Sequence, residues 1–311
     1  MIRTVWKDIL PEEAGHAQCH EHIWLEKGAS YHVNPALCMN DRKKSLKELN
    51  DYHQAGGRLI VDAQPTGCGR NASMLSALSR ESNVFIVAAA GFHKKEFFDN
   101  PVLFSWPEEA LARLYAKEIN TCITDLAQES SFCRAGILKA AAEKNWQTDP
   151  VYHKLFEAVA QAAGQTGAPV MIHTEKGSDV LELIHWFQER DIPPEKLLIC
   201  HLDRTHYDID YHKKVLSTGC YLCYDSIHRL KYVSEAEEMK LLLAMKESGF
   251  TGQFVLSLDT TNQRLRSYGA EDMGLDYILK VFIPQLKEQG FTDREIRQMC
   301  TANAAKILDF V

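Results

Sequence analysis

Two histidines separated by one residue, His20 and His22, lie in the first of several short strand-like runs in the sequence, residues 18–24. Residues two apart on a β-strand project from the same face, so Glu21 between them points to the opposite face. Two imidazoles at this spacing can bind one divalent cation, and the alternative is a pair of hydrogen-bonded core histidines. We expect Glu21 to anchor the strand through hydrogen bonds rather than to bind a metal.

Two further histidines end later apolar runs. His173 closes Pro-Val-Met-Ile-His, and His201 closes Leu-Leu-Ile-Cys-His. A single histidine after an apolar run is usually a core or loop residue. Both histidines nevertheless share with His20 and His22 the position at the end of a strand-like run, and this shared position favours one metal centre.

Two charged residues also end apolar runs. Asp259 closes Phe-Val-Leu-Ser-Leu-Asp, where a buried carboxylate is costly unless it is paired or coordinated. Lys139 closes Ala-Gly-Ile-Leu-Lys. Beside metal cations its pKa would fall, and the neutral amine could react with CO₂ to give a carbamate that bridges two metals. A plain salt bridge to an acidic neighbour is the alternative for Lys139.

Eight strand-like runs place these residues, and helical patterns alternate with the runs. Each run is continuously apolar, as expected for strands that are covered on both faces. Eight such units in 311 residues predict a single (β/α)₈ TIM barrel domain over residues 1–311, with its site at the carboxyl ends of the strands. A doubly wound open sheet is the structural alternative. The expected strands are 18–24, 58–63, 84–91, 134–139, 169–173, 197–201, 220–224 and 254–259.

Local signals mark where several helices begin. Ser105-Trp-Pro-Glu108 has the pattern of a capping box, and it predicts a helix that runs to about residue 126. A second capping box, Thr292-Asp-Arg-Glu295, predicts a C-terminal helix. Further helices are expected over 149–164 and 234–248.

Composition excludes several classes of protein. The net charge of −7 argues against a general nucleic-acid binder. The longest apolar stretches are too short to span a bilayer, and the N-terminus lacks the pattern of a secretory signal peptide. We expect the nine cysteines to be reduced thiols and the protein to be cytoplasmic, with neither nucleic acid nor membrane as a partner.

Taken in order along the chain, the strand-end residues resemble the metal site of the phosphotriesterase-related family in the amidohydrolase superfamily. The resemblance extends over nearly the whole chain and is greatest to the lactonase branch. It implies a metal-dependent hydrolase on a TIM barrel. Further stretches that resemble the family are 9–15, 69–71, 90–92, 201–204, 277–286, 290–291 and 303–305.

The resemblance implies two divalent metal ions per chain, usually zinc, bridged by a carboxylated lysine and by a water or hydroxide. It also implies that Asp259 accepts the proton of the nucleophile and passes it to the leaving group. The implied ligands are His20, His22 and Asp259 for the buried ion, His173 and His201 for the more exposed ion, and carboxylated Lys139 for both.

The loops after the strands are expected to select a small-molecule substrate. The loops after strands seven and eight, which often bind phosphate in barrels, contain several cations, and the loop after strand three adds His93. These residues favour a lactone that bears an anionic group, such as a phosphorylated or acidic sugar lactone, although solvated loop charges are the alternative. The expected substrate-binding residues are Arg229, Lys231, Arg264, Arg266 and His93.

Two other functions remain open from the sequence. The same site could hydrolyse phosphotriesters or phosphodiesters, or the barrel could bind a ligand without catalysis. Six intact metal positions argue against a pure binder, because such a protein has no need of a bridging carbamate. The sequence is also compatible with a homodimer.

Overall fold

A computed structural model of the chain describes residues 1–124, 133–271 and 273–310. Within these residues eight parallel strands follow one another in chain order in one sheet, and the first and last strands meet to form a barrel. The predicted (β/α)₈ TIM barrel is therefore confirmed. The strands are β1 (His16–Glu21), β2 (Gly57–Asp62), β3 (Phe85–Gly91), β4 (Ala135–Ala142), β5 (Val170–Thr174), β6 (Leu197–Cys200), β7 (Tyr221–Tyr224) and β8 (Phe254–Leu256).

Helices pack around the outside of the barrel, and none of those described is both long and apolar enough to cross a membrane. All nine cysteines are free thiols, and most of them are buried. The helices are α1 (Ala29–Val33), α2 (Arg42–Gln54), α3 (Ala72–Ser82), α4 (Glu108–Asn120), α5 (Pro150–Thr166), α6 (Val180–Gln188), α7 (Leu202–Thr205), α8 (Ile209–Leu216), α9 (Glu235–Glu247), α10 (Ile283–Glu288), α11 (Asp293–Arg297) and α12 (Asn303–Leu308).

Most of the predicted helix starts are confirmed. Thr292 caps α11 in a capping box, and Asp149 and Ser234 cap α5 and α9. The predicted box at Ser105 is wrong, because Ser105 ends a short 3₁₀ turn and its hydroxyl donates to the carbonyl of Val102. Helix α4 begins at Glu108 instead and ends at Asn120, so the end predicted near residue 126 is also wrong.

The barrel interior is filled by side chains that alternate along the strands. In β1 this alternation is interrupted, because Gln18 pairs with Ile60 and Glu21 pairs with Asp62. Two β1 residues therefore lie opposite one β2 residue, which is a β-bulge. The bulge allows Cys19 to join the interior cluster while His20 faces the cavity above it. The interior side chains include Cys19, Val61, Ala89, Ile137, Met171, Cys200, Cys223 and Val255.

Strand ends differ from the predicted ends at the site. Strand β1 ends at Glu21, so His22 follows the strand, and β4 continues to Ala142, so Lys139 lies inside it. Strand β8 ends at Leu256, and Asp259 therefore stands on the segment that follows. The carboxylate of Glu21 accepts hydrogen bonds from the amides of Leu258 and Thr260 on that segment.

Candidate metal centre

The structure brings the six predicted metal ligands to the carboxyl end of the barrel. Five of them line one cavity of about 210 Å³, and Lys139 lies fully buried behind His20. The Nζ atom of Lys139 is 3.2 Å from Nε2 of His20. The lining ligands are His20, His22, His173, His201 and Asp259.

On the β1 side, Asp259 faces the two histidines of the H-x-H pair. Its Oδ1 atom lies 3.3 Å from Nε2 of His22 and 3.8 Å from Nε2 of His20. The three ligand atoms are close enough to share one cation, and all three residues are buried. A set of two imidazoles and one carboxylate suits a divalent transition metal.

On the opposite side, His173 and His201 face each other. Nδ1 of His173 lies 2.8 Å from Nε2 of His201, and their rings are nearly perpendicular. His201 follows β6 directly with a left-handed backbone, φ 70°. This conformation is uncommon for a residue with a side chain, and such conformations are concentrated at functional sites.

A carboxylate lies behind three of the four histidines. Asp225 accepts at both oxygens: Oδ2 is 2.9 Å from Nδ1 of His20, and Oδ1 is 2.7 Å from Nδ1 of His201. Glu175 Oε1 is 3.0 Å from Nε2 of His173. Metal-binding histidines commonly use their second nitrogen in this way, which fixes the tautomer and the ring orientation.

Sequence reasoning missed Asp225 as a site residue. It directly follows β7, the strand between those that carry His201 and Asp259. Its place at a strand end was the signal that could have found it. Burial raises the pKa of Asp225 to about 6, although nearby cations oppose this shift.

Electrostatics of the site favour metal ligation. Burial, first of all, lowers the pKa of His20 and His173 to about 3 and that of His22 to about 4. The imidazoles are therefore neutral, as ligation requires. Burial also lowers the pKa of Lys139 to about 8, which increases the fraction of neutral amine available for carbamate formation. The donor set and its protonation thus fit two divalent ions.

Glu21 holds the segment that carries Asp259. Its Oε1 accepts from the amide of Leu258 at 2.7 Å, and its Oε2 accepts from the amide of Thr260 at 3.2 Å. Asp259, between them, has a left-handed backbone with φ 49°. Glu21 therefore anchors the strand, as predicted. From the face opposite the cavity, it fixes the backbone of Asp259.

Arg264 completes this anchor. Its Nη1 donates to the carbonyls of Leu258 and Asp259, the latter at 3.2 Å, and its Nη2 donates to the carbonyl of Ile227 at 2.7 Å. The guanidinium is thus occupied by backbone acceptors on the loops after β7 and β8. Asp259 is held by two side chains, one acidic and one basic, that do not enter the cavity.

The family model described as "Phosphotriesterase family" matches residues 1–308. The chain belongs to the phosphotriesterase family. It is accordingly a hydrolase of the amidohydrolase superfamily.

Relatives of this phosphotriesterase-family chain include both lactonases and proteins named for phosphotriesterase homology. It is similar to a phospho-furanose lactonase of Mycoplasmopsis agalactiae, with 28% identity covering 99% of this chain and 91% of the relative. It is also similar to the phosphotriesterase homology protein of Escherichia coli, with 26% identity covering 95% and 98%. A crystal structure of a lactonase from Listeria monocytogenes matches with a TM-score of 0.90 and 29% identity, covering 100% and 99%.

Two arginines of this phosphotriesterase-family chain contact the carboxylate of Asp259. Arg204 Nη1 donates to Oδ2 at 2.8 Å, and Arg229 Nη1 donates to the same oxygen. Asp259 therefore presents Oδ1 to the histidines and Oδ2 to the arginines. Arg204, at the short helix α7 after β6, was not among the expected substrate-binding residues.

Only some of the expected loop cations line the cavity. Arg229 and Lys231 line it, as does His93, whose ring centre is 4.7 Å from that of His173. Arg264 and Arg266 are not among the lining residues, so two of the four expected loop cations lie elsewhere. Arg264 donates to backbone carbonyls, and Arg266 pairs with Asp276 at 2.6 Å outside the cavity.

Proposed function

We propose that the chain is a metal-dependent hydrolase that opens a lactone bearing an anionic group, such as a phosphorylated or acidic sugar lactone. The observation that carries this proposal is a set of cations on one cavity wall, directly beside the metal ligands. The similarity to a protein named phospho-furanose lactonase supports the same substrate class.

The cationic wall is formed by the loops after β6 and β7. Arg204 and Arg229 are largely buried, with 11% of each side chain exposed, whereas Lys231 lies at the open edge. All three lie near the ring of Tyr232, with the Lys231 ammonium 4.6 Å from its centre. The carboxylate of Asp259 offsets only one of these three charges. The wall is therefore suited to an anion such as phosphate or carboxylate.

The segments after β1 and β3 add apolar side chains to the cavity lining, together with Asn34 and Lys94. Val33, Leu37 and Phe97 line the cavity there. A sugar lactone has both a polar rim and an apolar ring face, so the cationic wall and these apolar side chains would hold it in one orientation. The anionic group would then point to the loops after β6 and β7, and the carbonyl would point to the histidines.

The residues present fit two divalent cations, and we propose zinc. When bound, the two ions would polarise the substrate's carbonyl oxygen and lower the pKa of water, so that hydroxide is available near neutral pH. Lys139, as a carbamate, would be the ligand common to both ions. The remaining ligands would be His20, His22 and Asp259 for one ion, and His173 and His201 for the other.

Asp259 is the residue placed to move the proton. Its carboxylate would accept the proton of the attacking water as the new carbon–oxygen bond forms, and return it to the ring oxygen as the ester bond breaks. Arg204 and Arg229 orient this carboxylate through Oδ2. Glu21 and Arg264 fix the backbone on which it stands.

Metal analysis combined with a substrate panel tests the proposal. Protein expressed with zinc and bicarbonate should contain about two metal ions per chain, and chelation should abolish hydrolysis. The panel should pair an anionic sugar lactone with its neutral analogue and should include a phosphotriester and a phosphodiester. We expect the highest kcat/KM for the anionic lactone.

Each other outcome would overturn part of the proposal. A phosphoester as the best substrate would keep the metal centre and reject the lactone. Two bound metals without any hydrolysis would favour a ligand-binding barrel. One metal or none per chain would reject the binuclear site.

A further inference from the structure

One acidic side chain on the cavity wall has no role in the reaction described above. Glu175 follows β5 by one residue, and its Oε1 lies 3.0 Å from Nε2 of His173. The same oxygen lies 3.0 Å from Nζ of Lys94, on the loop after β3. Lys94 also pairs with Glu96 at 3.1 Å. A hydrogen-bonded chain therefore joins two loops to one metal-ligand candidate.

The contact favours one nitrogen of His173 over the other as a metal ligand. A neutral imidazole has one N–H donor and one nitrogen with a free lone pair. Since a carboxylate accepts hydrogen bonds, Glu175 favours the proton on Nε2 and leaves the lone pair on Nδ1. Nδ1 is the atom that faces Nε2 of His201 at 2.8 Å. In this tautomer, the lone pair on Nδ1 of His173 points to the position where His173 and His201 would share an ion.

Glu175 differs from Asp225, the carboxylate behind His20 and His201. Asp225 is fully buried and contacts both of these histidines at once, whereas the Glu175 side chain is 38% exposed and contacts only His173. An exposed carboxylate can adopt other rotamers and can form hydrogen bonds with water instead. The ion pair with Lys94, whose side chain is only 16% exposed, restricts that freedom.

We propose that Glu175 is a positioning residue that fixes the Nε2–H tautomer of His173, and that Lys94 holds Glu175 in place for this purpose. The loops after β3 and β5 together set the affinity of the more exposed metal position. This inference rests on the metal centre of the proposed function, but it does not depend on which substrate is hydrolysed.

Metal competition with Co²⁺ as the probe tests the inference directly. Wild type and variants would be loaded with Co²⁺ and titrated with a chelator, with the visible absorption of the bound ions as readout. Removal of a hydrogen-bond partner behind a metal-binding histidine typically costs about 10- to 100-fold in metal affinity. We expect Glu175→Ala to weaken the more weakly held Co²⁺ within that range, and Glu175→Gln to weaken it by about tenfold.

Glu96→Gln is the matched control, because Glu96 also pairs with Lys94 but the structure gives it no contact with His173. It should leave both Co²⁺ affinities within about twofold of wild type. Lys94→Met should weaken only the more weakly held ion, and by less than Glu175→Ala. Glu175→Asp, which keeps the carboxylate on a shorter stem, should recover part of the loss.

The two possible failures are distinguishable. If wild type itself binds fewer than two Co²⁺ ions, the metal centre of the proposed function fails. If wild type binds two ions and Glu175→Ala binds both as tightly as Glu96→Gln does, the positioning role of Glu175 is rejected. Equal weakening of both ions by Glu175→Ala would also reject it, because the role predicts an effect on the His173 position alone.

Discussion

We call the buried ligand candidates, with the side chains that hold them, the floor of the cavity. We call the exposed residues of the loop after β7 its rim. The two regions are built in different ways. On the floor, His20 and His201 are almost completely buried and share one carboxylate, Asp225, at 2.9 and 2.7 Å. At the rim, Lys231 is exposed and contacts the half-exposed ring of Tyr232. Strand geometry dictates the floor, whereas the rim depends on loops of irregular conformation. We therefore expect substitutions on the floor to abolish the chemistry and substitutions at the rim to adjust substrate preference.

The largest effect is expected from Lys139→Ala, which removes a fully buried side chain from the floor. The variant should lose both metal ions and activity, because the ligand common to the two positions is gone. Elemental analysis and hydrolysis rates measure these losses. A short carboxylic acid supplied with metal should restore part of both, since it can replace the carbamate in the space left by the lysine.

Lys139→Met provides the control for that rescue. It fills most of the space of the lysine stem, so a small acid should restore much less metal and activity. If Lys139→Ala retains two metals and full activity, the lysine is not a metal ligand, and the floor is not the dominant region.

The next largest effect is expected from Asp259→Asn. As a proton acceptor, Asp259 should matter for turnover more than for substrate affinity, and kcat should fall by about 10²-fold or more. Metal content should be measured alongside, because the same residue is a proposed ligand. An unchanged kcat with a raised KM would instead place Asp259 among the binding residues. Floor and rim substitutions would then not differ in their effects as expected.

A smaller effect is expected from Arg264→Met, which tests whether this loop cation belongs to the floor. The variant leaves three backbone carbonyls without their donor, including that of Asp259. We expect a loss of about 1.5–3 kcal/mol in the free energy of unfolding, the usual value of hydrogen bonds from charged groups. The kcat should fall by about tenfold to 10²-fold, because small misplacements of catalytic groups are costly.

Arg266→Met is the matched control, since Arg266 pairs with Asp276 outside the cavity. It should change kcat by less than about twofold. If Arg264→Met leaves kcat and the unfolding temperature unchanged and raises only the KM of an anionic substrate, Arg264 acts at the rim, as its sequence position first indicated.

These contrasts explain how much could be predicted from the sequence. The barrel and the placement of the six ligand candidates followed from the positions of His20, His22, Lys139, His173, His201 and Asp259 at strand-like ends. A parallel barrel brings all its carboxyl ends to one face, so the strand order alone assembles these residues. The roles of the loop cations could not be predicted in the same way. Arg264 turns towards backbone carbonyls and Arg266 towards a carboxylate, and neither acceptor is visible in the local sequence.

Missed residues have the same physical origin. Asp225 stands at a strand end but carries no motif of its own, and its partners come from β1 and β6. Arg204 stands on the short helix α7 and donates to Asp259, which lies 55 residues later in the chain. Contacts between residues distant in the chain decide both roles. Strand-end position therefore predicts where the candidate ligands lie. The carboxylates and arginines that contact them can be identified only from the structure.

The smallest effect is expected from Lys231→Ala, which tests the rim without touching the floor. Arg229 is unsuitable for this purpose because it contacts Asp259, so its loss would mix binding with chemistry. Lys231 is exposed, and exposed charge pairs contribute less than about 1 kcal/mol, whereas a buried charged hydrogen bond contributes about 1.5–3 kcal/mol. The KM for an anionic lactone should therefore rise by only about threefold to tenfold. The anion is present in both the ground state and the transition state, so kcat should hold. Kinetics on the anionic lactone and its neutral analogue measure the change, with Lys95→Ala as control, because Lys95 pairs with Asp149 away from the cavity.

If Lys231→Ala and Lys95→Ala discriminate between the two lactones as wild type does, the Lys231 ammonium is a solvated loop charge. The anion would then be recognised, if at all, by the buried arginines next to Asp259, and the boundary between rim and floor would lie further out than proposed.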